Sequence, residues 1–249
     1  MKKESKFGKA WRNFTRALGV FLIKGGFRLV WMPKIRYESQ KAKEFIKSKK
    51  PVIIISNHCY WFDPVMLYLV AHTSKMSVVA AKEVMAGVKG GFLKGLGCIP
   101  VDRTTMDLVC LRECAARVRQ GERVGIFPEG MINFEEEMLP FKAGVSLISS
   151  QTGAQVVPVY ISGDYRPFGH VQVLVGESVD MSGYFSTPAT AAEISKATDA
   201  LYGSVCSLKE KLFASMTPKQ RKGVEDFRAK FMVSRASAIE ESNKETVNK

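Results

Sequence analysis

A chain of 249 residues that is 46% hydrophobic and 24% charged can bury a sizeable core, and this composition excludes a protein that is disordered throughout. The formal net charge of +13 is unevenly distributed. Residues 1–50 contain 15 basic and 3 acidic side chains, residues 51–208 contain 12 and 15, and residues 209–249 contain 10 and 6. Basic ends on a near-neutral body are typical of a protein that docks on a polyanion, such as anionic lipid, nucleic acid or an acidic protein.

The N-terminal segment is predicted to form helix and to lie on a membrane surface. Its apolar residues recur at three- and four-residue steps, and its basic residues recur at multiples of four. Its longest charge-free run, residues 17–23, has 7 residues, far fewer than the roughly 20 that a membrane-spanning helix needs. The alternative is a helix packed on the body with a solvated basic face. The residues predicted to contact the membrane are Trp11, Arg12, Phe14, Arg16, Phe21, Lys24, Arg28 and Trp31.

After a basic helical stretch at 39–48, strand and helix patterns alternate along the chain. This alternation predicts an α/β fold with a largely parallel or mixed central sheet flanked by helices. The expected domains are a membrane-association segment (1–50), an α/β domain (51–216) and a charged tail, helical or partly disordered and without chemistry (217–249). The predicted strands are 52–56, 76–80, 98–101, 123–127, 155–161 and 171–175, and the predicted helices are 64–72, 82–96, 105–120, 142–152 and 189–216. Pro158 lies inside the fifth strand and favours an edge or bulged position for it.

A histidine follows the most apolar of these strands. The β-branched run at 52–55 predicts a strand buried on both faces, and His58 follows it after a polar turn. The Asp63 carboxylate can accept a hydrogen bond from one imidazole nitrogen, which leaves the other nitrogen as an acceptor facing a substrate. The pair is then a general base. The alternative is a buried histidine tied to a carboxylate only to satisfy its own hydrogen bonds.

Other charged residues follow other predicted strands, whose ends gather at the active-site edge of a parallel sheet. Lys82 follows the second strand and Arg103 the third; a guanidinium there can bind phosphate with two hydrogen bonds, although a lone arginine is more often a surface ion pair. Glu129 and Gly130 follow the fourth strand, where a glycine lets the backbone approach a ligand. Lys142 begins a helix, a position that suits a cation best when it helps the helix terminus to hold an anion.

The five cysteines, Cys59, Cys98, Cys110, Cys114 and Cys206, form no CxxC pair. An odd number argues against a disulfide framework and favours a reducing, cytosolic setting. With three histidines in the chain, no convincing metal cluster can be assembled, and we assign neither a metal nor a cofactor. Cys59 is next to His58, but adjacent residues of an extended segment point to opposite sides, so we expect an inert, packed thiol.

Four motifs occur in order between residues 57 and 161: NHCYWFD, GCIPVDR, FPEG and VVPVYI, with LPFKAG after the third. Together they make the chain resemble the glycerolipid acyltransferase family, the His-x4-Asp enzymes, and in particular bacterial 1-acyl-glycerol-3-phosphate acyltransferases. The resemblance implies that His58 removes a proton from the hydroxyl of a lysophospholipid as it attacks an acyl thioester, with Asp63 orienting the imidazole. The acceptor-binding residues expected on these grounds are Asn57, Lys82, Arg103, Glu129, Gly130 and Lys142.

The resemblance also implies the partners: a lysophospholipid acceptor, an acyl carrier protein or coenzyme A thioester as donor, and an anionic membrane surface, with no nucleic acid. We expect a peripheral or monotopic protein at the cytoplasmic face of the cell membrane. One departure is that Met131 and Ile132 replace the small residue and arginine that usually follow the third motif in phosphatidate-forming enzymes. A different lyso-lipid acceptor is therefore an alternative, as are a thioesterase and a non-catalytic basic protein that binds membranes or nucleic acid.

Overall fold

The computed structural model describes residues 18, 19, 21, 25–48, 50–85, 91, 93–104, 106–168 and 170–247, of which 233–247 are described by their backbone alone. The strands in these ranges are β1 (Lys34–Tyr37), β2 (Ile53–Ser56), β3 (Met76–Ala81), β4 (Ile99–Val101), β5 (Arg123–Ile126), β6 (Val156–Ile161) and β7 (Gln172–Val175). The helices are α1 (Gln40–Lys47), α2 (Asp63–Val70), α3 (Leu108–Arg119), α4 (Gly144–Thr152), α5 (Ala191–Ala214) and α6 (Pro218–Val247). Residues 25–31 are also helical. None of the described helices is both long and apolar enough to cross a bilayer.

The strands form one sheet in the order β1-β7-β6-β2-β5-β3-β4. All neighbouring strands are parallel except β6 and β7. The carboxyl ends of β6, β2, β5, β3 and β4 therefore meet at one edge, which is where open α/β sheets bind ligands. The predicted α/β fold with a mixed sheet is confirmed.

Strand β2 lies in the middle of the sheet because its side chains are apolar on both faces. Ile54 packs into one core with α2 and the end of α1, whereas Ile53 and Ile55 pack into the other core with α3, α4 and α5. All three isoleucines are fully buried. The chain that leaves β2 consequently emerges at the centre of the ligand-binding edge.

The sheet begins earlier in the chain than predicted. Strand β1 pairs in parallel with β7, and Ile46 of α1 is fully buried, so residues 34–47 belong to the α/β body and not to a separate basic segment ending at 50. The strand is hidden in the sequence because its basic residues alternate with Ile35 and Tyr37, which pack against the core.

Strand β6 is neither an edge strand nor bulged, contrary to the expectation from Pro158. Its register with β2 is continuous through the Ile55 and Pro158 pair. The carbonyl of Pro158 accepts from Gly176 N (2.9 Å), so the missing N–H faces β7 at the point where that strand's ladder ends. A proline is tolerated there because β7 ends at Val175, so the missing donor lies just beyond the paired residues of the two strands.

The predicted helix at 82–96 is wrong at its start. Residues 82–85 form a turn, and Lys82 N still donates to Val101 O (3.0 Å), which continues the pairing of β3 with β4. Residues 93–95 are helical, whereas 86–90 and 92 lie outside the described residues. The turn brings Lys82 close to the end of β4.

Arg123, at the start of β5, is a buried cation that is only 1% exposed. Its Nη1 donates to Ile46 O (2.8 Å) and Ala71 O (2.7 Å), and its Nε donates to Lys50 O (3.0 Å). Two of these carbonyls lie at the ends of α1 and α2, where the helix dipole is negative. Burial lowers the pKa of Arg123 to about 10, so the guanidinium stays charged and joins both helices to the sheet.

Candidate active site

The loop after β2 folds back so that His58 and Asp63 meet. His58 Nδ1 lies 2.8 Å from Asp63 Oδ2, and the backbone N–H groups of Cys59 (2.6 Å) and Tyr60 (2.7 Å) donate to the same oxygen. Asp63 starts α2, with Pro64 as the next residue, a favourable residue for a first helical turn. The predicted pairing of His58 with Asp63 is present in the structure.

The other oxygen of Asp63 is held by a residue from a distant loop. Tyr165 donates its hydroxyl to Asp63 Oδ1 at 2.5 Å, and Asp63 is 0% exposed. Burial raises the pKa of Tyr165 well above its usual range, so the phenol remains a donor at any physiological pH. Hydrogen-bond donors on both oxygens fix the orientation of the carboxylate and offset the cost of removing it from water.

The His58 ring is fixed on one face and open at one edge. It stacks on Phe127, with ring centroids 4.2 Å apart and planes 19° apart. Its side chain is 17% exposed, in contrast to the fully buried Asp63. Since Nδ1–H donates to the carboxylate, Nε2 is left as an acceptor, which is the tautomer that a general base needs.

Asn57 ties the loop to the neighbouring strand. Its side chain donates to Ile161 O (3.0 Å) and accepts from Ile161 N (2.8 Å), and it also accepts from Ser56 Oγ (3.2 Å). With 3% of its surface exposed, Asn57 fixes the start of the loop that carries His58, a structural contact that was not predicted from the sequence.

Glu129 is buried beside the same loop, with 4% of its surface exposed, and its carboxylate holds the backbone of this loop. Its Oε1 accepts from His58 N (2.8 Å), and its Oε2 accepts from Leu139 N (2.9 Å) and Asn133 Nδ2 (3.2 Å). Asn133 N in turn donates to His58 O (2.7 Å). Burial raises the pKa of Glu129. Glu129 and the backbone of Asn133 thus bind the N–H and the C=O of His58.

Gly130, Lys142 and Arg103 form a basic corner next to this pair. Gly130 has φ = 77°, a backbone conformation that favours glycine, and a Cβ at this position would lie 2.9 Å from Lys142 Cε, which packs over the glycine. Lys142 Nζ lies 3.5 Å from Arg103 O. The structure therefore brings together Arg103 of the second motif, Gly130 of the third motif and Lys142, which lies two residues before α4.

Lys82 and Arg103 each have an acidic partner at this corner. Lys82 pairs with Asp102, and this hydrogen bond lowers the pKa of the Asp102 carboxyl below its usual range. Arg103 Nη2 lies 3.5 Å from Glu83 Oε2. Lys142 has no ion-pair partner among the residues that the structure describes, so it carries an uncompensated positive charge beside Gly130.

Cys59 has no nucleophilic character here. It is 5% exposed, and burial together with the adjacent Asp63 charge raises the pKa of its thiol well above the usual range. A protonated, buried thiol packs as a small apolar group, as we expected from the sequence.

Aromatic residues from both ends of the chain cover the catalytic loop. Tyr60 stacks on Tyr165 (4.7 Å between centroids) and makes edge contacts with Phe227 (5.4 Å) and Phe231 (4.9 Å) of α6. We assigned no chemistry to the C-terminal tail, and its packing on this loop was not predicted. The two phenylalanines, four residues apart on one helix face, were the signal in the sequence.

Only three of the residues predicted to contact the membrane are among the described ones. Phe21 is 71% exposed and Arg28 is also exposed. Trp31 instead stacks on Phe27 (4.3 Å) and donates to Tyr165 O (2.9 Å), which makes it part of the support of the site. Trp11, Arg12, Phe14, Arg16 and Lys24 lie outside the described residues.

Exposed apolar side chains continue from this helical segment onto the catalytic loop. These side chains are Leu29 (78% exposed), Met32 (55%) and Trp61 (64%). Trp31 of the segment contacts Phe62 of the loop, with ring centroids 5.1 Å apart. Exposed apolar side chains of this kind mark an interaction site, and we call these three residues the apolar surface.

The Acyltransferase family model matches residues 37–162 of this chain, which contain all four motifs. A 1-acyl-sn-glycerol-3-phosphate acyltransferase of Bacillus subtilis is 26% identical over 176 residues, which are 68% of this chain and 87% of that protein. The human 1-acyl-sn-glycerol-3-phosphate acyltransferase alpha is 31% identical over 137 residues, which are 54% of this chain and 48% of that protein.

A solved structure has a similar fold. The crystal structure of the 1-acyl-sn-glycerophosphate (LPA) acyltransferase PlsC from Thermotoga maritima superposes with a TM-score of 0.61 at 22% identity, and the match covers 87% of this chain and 86% of that one. At this identity the similarity concerns the fold alone.

Proposed function

This chain belongs to the acyltransferase family, and on that premise we propose that it acylates 1-acyl-glycerol 3-phosphate to phosphatidate in phospholipid synthesis. The observation that carries the proposal is the His58 and Asp63 pair, in which Nδ1 contacts the buried carboxylate while the imidazole stays partly exposed. The names of the relatives in Bacillus and human support the choice of acceptor.

In the proposed reaction, His58 Nε2 takes the proton of the acceptor hydroxyl while that oxygen attacks the thioester carbonyl. The tetrahedral intermediate then expels the thiolate, which takes the proton back from the imidazolium. Asp63 stabilises the imidazolium between these steps, because its carboxylate is already fixed by Tyr165 and two backbone amides. General-base help of this kind is worth about 10²–10⁴-fold in rate, and no enzyme-bound acyl group is needed.

The phosphate of the acceptor is expected at the basic corner. Lys142 supplies a cation without an acidic partner, and Arg103 can turn from Glu83 towards a doubly charged phosphate, since their 3.5 Å contact is exposed and weak. These residues supply the charge that Met131 and Ile132 do not. Lys82 is the third cation of the corner and is shared with Asp102.

The donor and the membrane complete the proposal. The donor is an acyl thioester of acyl carrier protein or of coenzyme A, and the exposed apolar surface around Leu29 and Trp61 lies in the interface of the cytoplasmic leaflet, with Arg28 near anionic head groups. Leu29→Ser should lower sedimentation with anionic vesicles several-fold. The control is Val109→Ser on α3, which is 75% exposed and outside this surface; equal losses in both variants would contradict the placement.

The reaction is tested by product formation with lysophosphatidate and other lyso-lipids, each combined with an acyl carrier protein thioester and with acyl-coenzyme A. The wild type should form phosphatidate, and His58→Ala should form none while keeping its fold. His72→Ala is the matched control, because His72 contacts Tyr37 (2.9 Å) away from the loop, and it should retain turnover. Free fatty acid without acylated lipid would instead identify a thioesterase, and acylation of an uncharged lyso-lipid alone would overturn the phosphate acceptor.

A further inference from the structure

A cavity of about 390 Å³ lies outside the catalytic site, between the β1 and β7 edge of the sheet and the first turns of α6. Residues of β1 and β7, the loop after β6 and α6 line it. None of the residues assigned above to catalysis or to acceptor binding is among them.

The closed end of the cavity contains a polar side chain without a partner. Gln172 is 1% exposed, and neither its Nε2 nor its Oε1 has a hydrogen-bond partner within the described part of the chain. Leu174, two residues after Gln172 in β7, packs in one core with α5 and Met216. Because side chains two residues apart in a strand lie on the same face, Gln172 shares this face of the sheet. Met216 also lines the cavity. A buried amide in this state calls for a ligand that both accepts and donates hydrogen bonds.

The mouth of the cavity is basic. Lys34, Lys219 and Lys222 line it and are exposed, and none of the three forms an ion pair with another described residue. One acid of the cavity is paired within it. Asp164 holds Arg166 through two hydrogen bonds (2.8 and 2.6 Å).

Arg166 also experiences the charge of Asp226, which raises its pKa after the larger effect of Asp164. His170 lies 3.8 Å from Asp164. Counting three lysines and Arg166 against Asp164 and Asp226, the cavity keeps an excess of two positive charges, which suits a phosphate group.

The rim of the cavity reaches the apolar surface described above. Phe168 lines the cavity and is 77% exposed, and its N–H donates to Val30 O (2.9 Å) in the helical segment. The cavity therefore opens beside the exposed Leu29 and Met32. A ligand with an apolar part would leave that part next to this surface.

We propose that this cavity binds the head group of an anionic phospholipid, with its phosphate on Lys219 and Lys222 and a head-group hydroxyl on Gln172. A phosphoglycerol head group has the chemistry required, because its phosphate accepts from Nε2 while a free hydroxyl donates to Oε1. A soluble phosphate ester of glycerol shares this chemistry. The proposal does not depend on acyl transfer, and its test involves no turnover.

The test measures binding of the full chain to vesicles of phosphatidylcholine containing equal fractions of phosphatidylglycerol or phosphatidylserine, and measures the unfolding midpoint with sn-glycerol 3-phosphate. The double variant Lys219→Glu and Lys222→Glu should lower affinity for phosphatidylglycerol vesicles by about tenfold or more. Lys196→Glu with Lys230→Glu, an equal charge change at exposed positions outside the cavity, should stay within about twofold of wild type.

Gln172→Met is a further variant, and it leaves the charge of the cavity unchanged. It should fold and bind both vesicles, but it should lose the wild type's preference for phosphatidylglycerol over phosphatidylserine. If glycerol 3-phosphate raises the unfolding midpoint of the wild type and not that of Gln172→Met, the result would support the same cavity with a soluble phosphate ester as its ligand. Equal losses in the two charge variants, or an unchanged preference in Gln172→Met, would overturn the proposal.

Discussion

Tyr165→Phe tests whether the catalytic carboxylate is held by the distant loop. The change removes one hydroxyl and keeps the ring that stacks on Tyr60, 4.7 Å away. The lost bond joins a buried phenol to a fully buried carboxylate, and hydrogen bonds to charged groups are worth about 1.5–3 kcal/mol. We therefore expect the free energy of unfolding to fall by about that amount.

The effect on turnover should be much smaller than the effect of removing the charge itself. In Tyr165→Phe, Asp63 keeps its bond to His58 and its two backbone donors, so we expect kcat to fall by less than about tenfold. Asp63→Asn removes the charge that stabilises the imidazolium and imposes the wrong tautomer. In a serine-protease triad the equivalent change costs about 10⁴-fold, and we expect a loss approaching that size here.

Denaturant unfolding measures the change in the free energy of unfolding, and initial rates at saturating donor and acceptor measure the change in kcat. Tyr68→Phe is the matched control, because the Tyr68 hydroxyl is buried and donates to a neutral carbonyl, Leu96 O at 3.0 Å; it should cost only about 0.5–1.5 kcal/mol. The reasoning fails if Tyr165→Phe is no more destabilising than Tyr68→Phe. It also fails if Tyr165→Phe loses as much turnover as Asp63→Asn, since Tyr165 would then take part in the chemistry.

Four further results are expected. Lys142→Met should raise KM for lysophosphatidate about tenfold, in line with loss of one charged hydrogen bond, and should leave kcat nearly unchanged; a fall in kcat alone would contradict a phosphate-binding role. Phe231→Ala should lower turnover several-fold, because Tyr60 loses a ring contact at 4.9 Å, whereas an unchanged rate would separate α6 from the site. Arg123→Met should destabilise the fold by about 3 kcal/mol because three carbonyls, two of them in buried hydrogen bonds, lose their donor, as measured by urea unfolding. Hydrogen bonds from Thr190 N and Ser186 lower the pKa of Glu193 from 4.5 to about 2, so its stabilising contribution is present above pH 4.5 and is lost as the pH falls towards 2. The stability difference between wild type and Glu193→Gln should accordingly shrink between pH 7 and pH 3, and a constant difference would contradict this assignment.

The catalytic pair can be predicted from the sequence because its parts are local. His58 and Asp63 lie in one loop that follows a strongly apolar strand, and the motif alone brings them within reach of each other. The roles of Asn57 and Glu129 cannot be predicted in this way. Their partners are fixed by tertiary structure: Asn57 binds the backbone of Ile161, 104 residues away, and Glu129 binds the backbone of His58, 71 residues away.

The support of the site comes from residues whose partners are distant in the sequence. Tyr165 is 102 residues from Asp63 and lies in no recognisable motif. Phe227 and Phe231 occur in a helix whose composition is charged, so their burial against Tyr60 depends on where α6 packs. Strand β1 is obscured for a related reason, because its basic side chains dominate the composition while its alternate residues face the core.

The sheet order also determines when the site can form during synthesis of the chain. His58 and Asp63 directly follow strand β2. This strand is flanked by β5 and β6, which leave the ribosome later. Asp63 therefore acquires its second donor only after Tyr165 has been synthesised, and Tyr60 remains uncovered until Phe231 follows. A nascent chain that stops before α6 contains both catalytic side chains and an exposed aromatic surface of the kind that chaperones and proteases recognise.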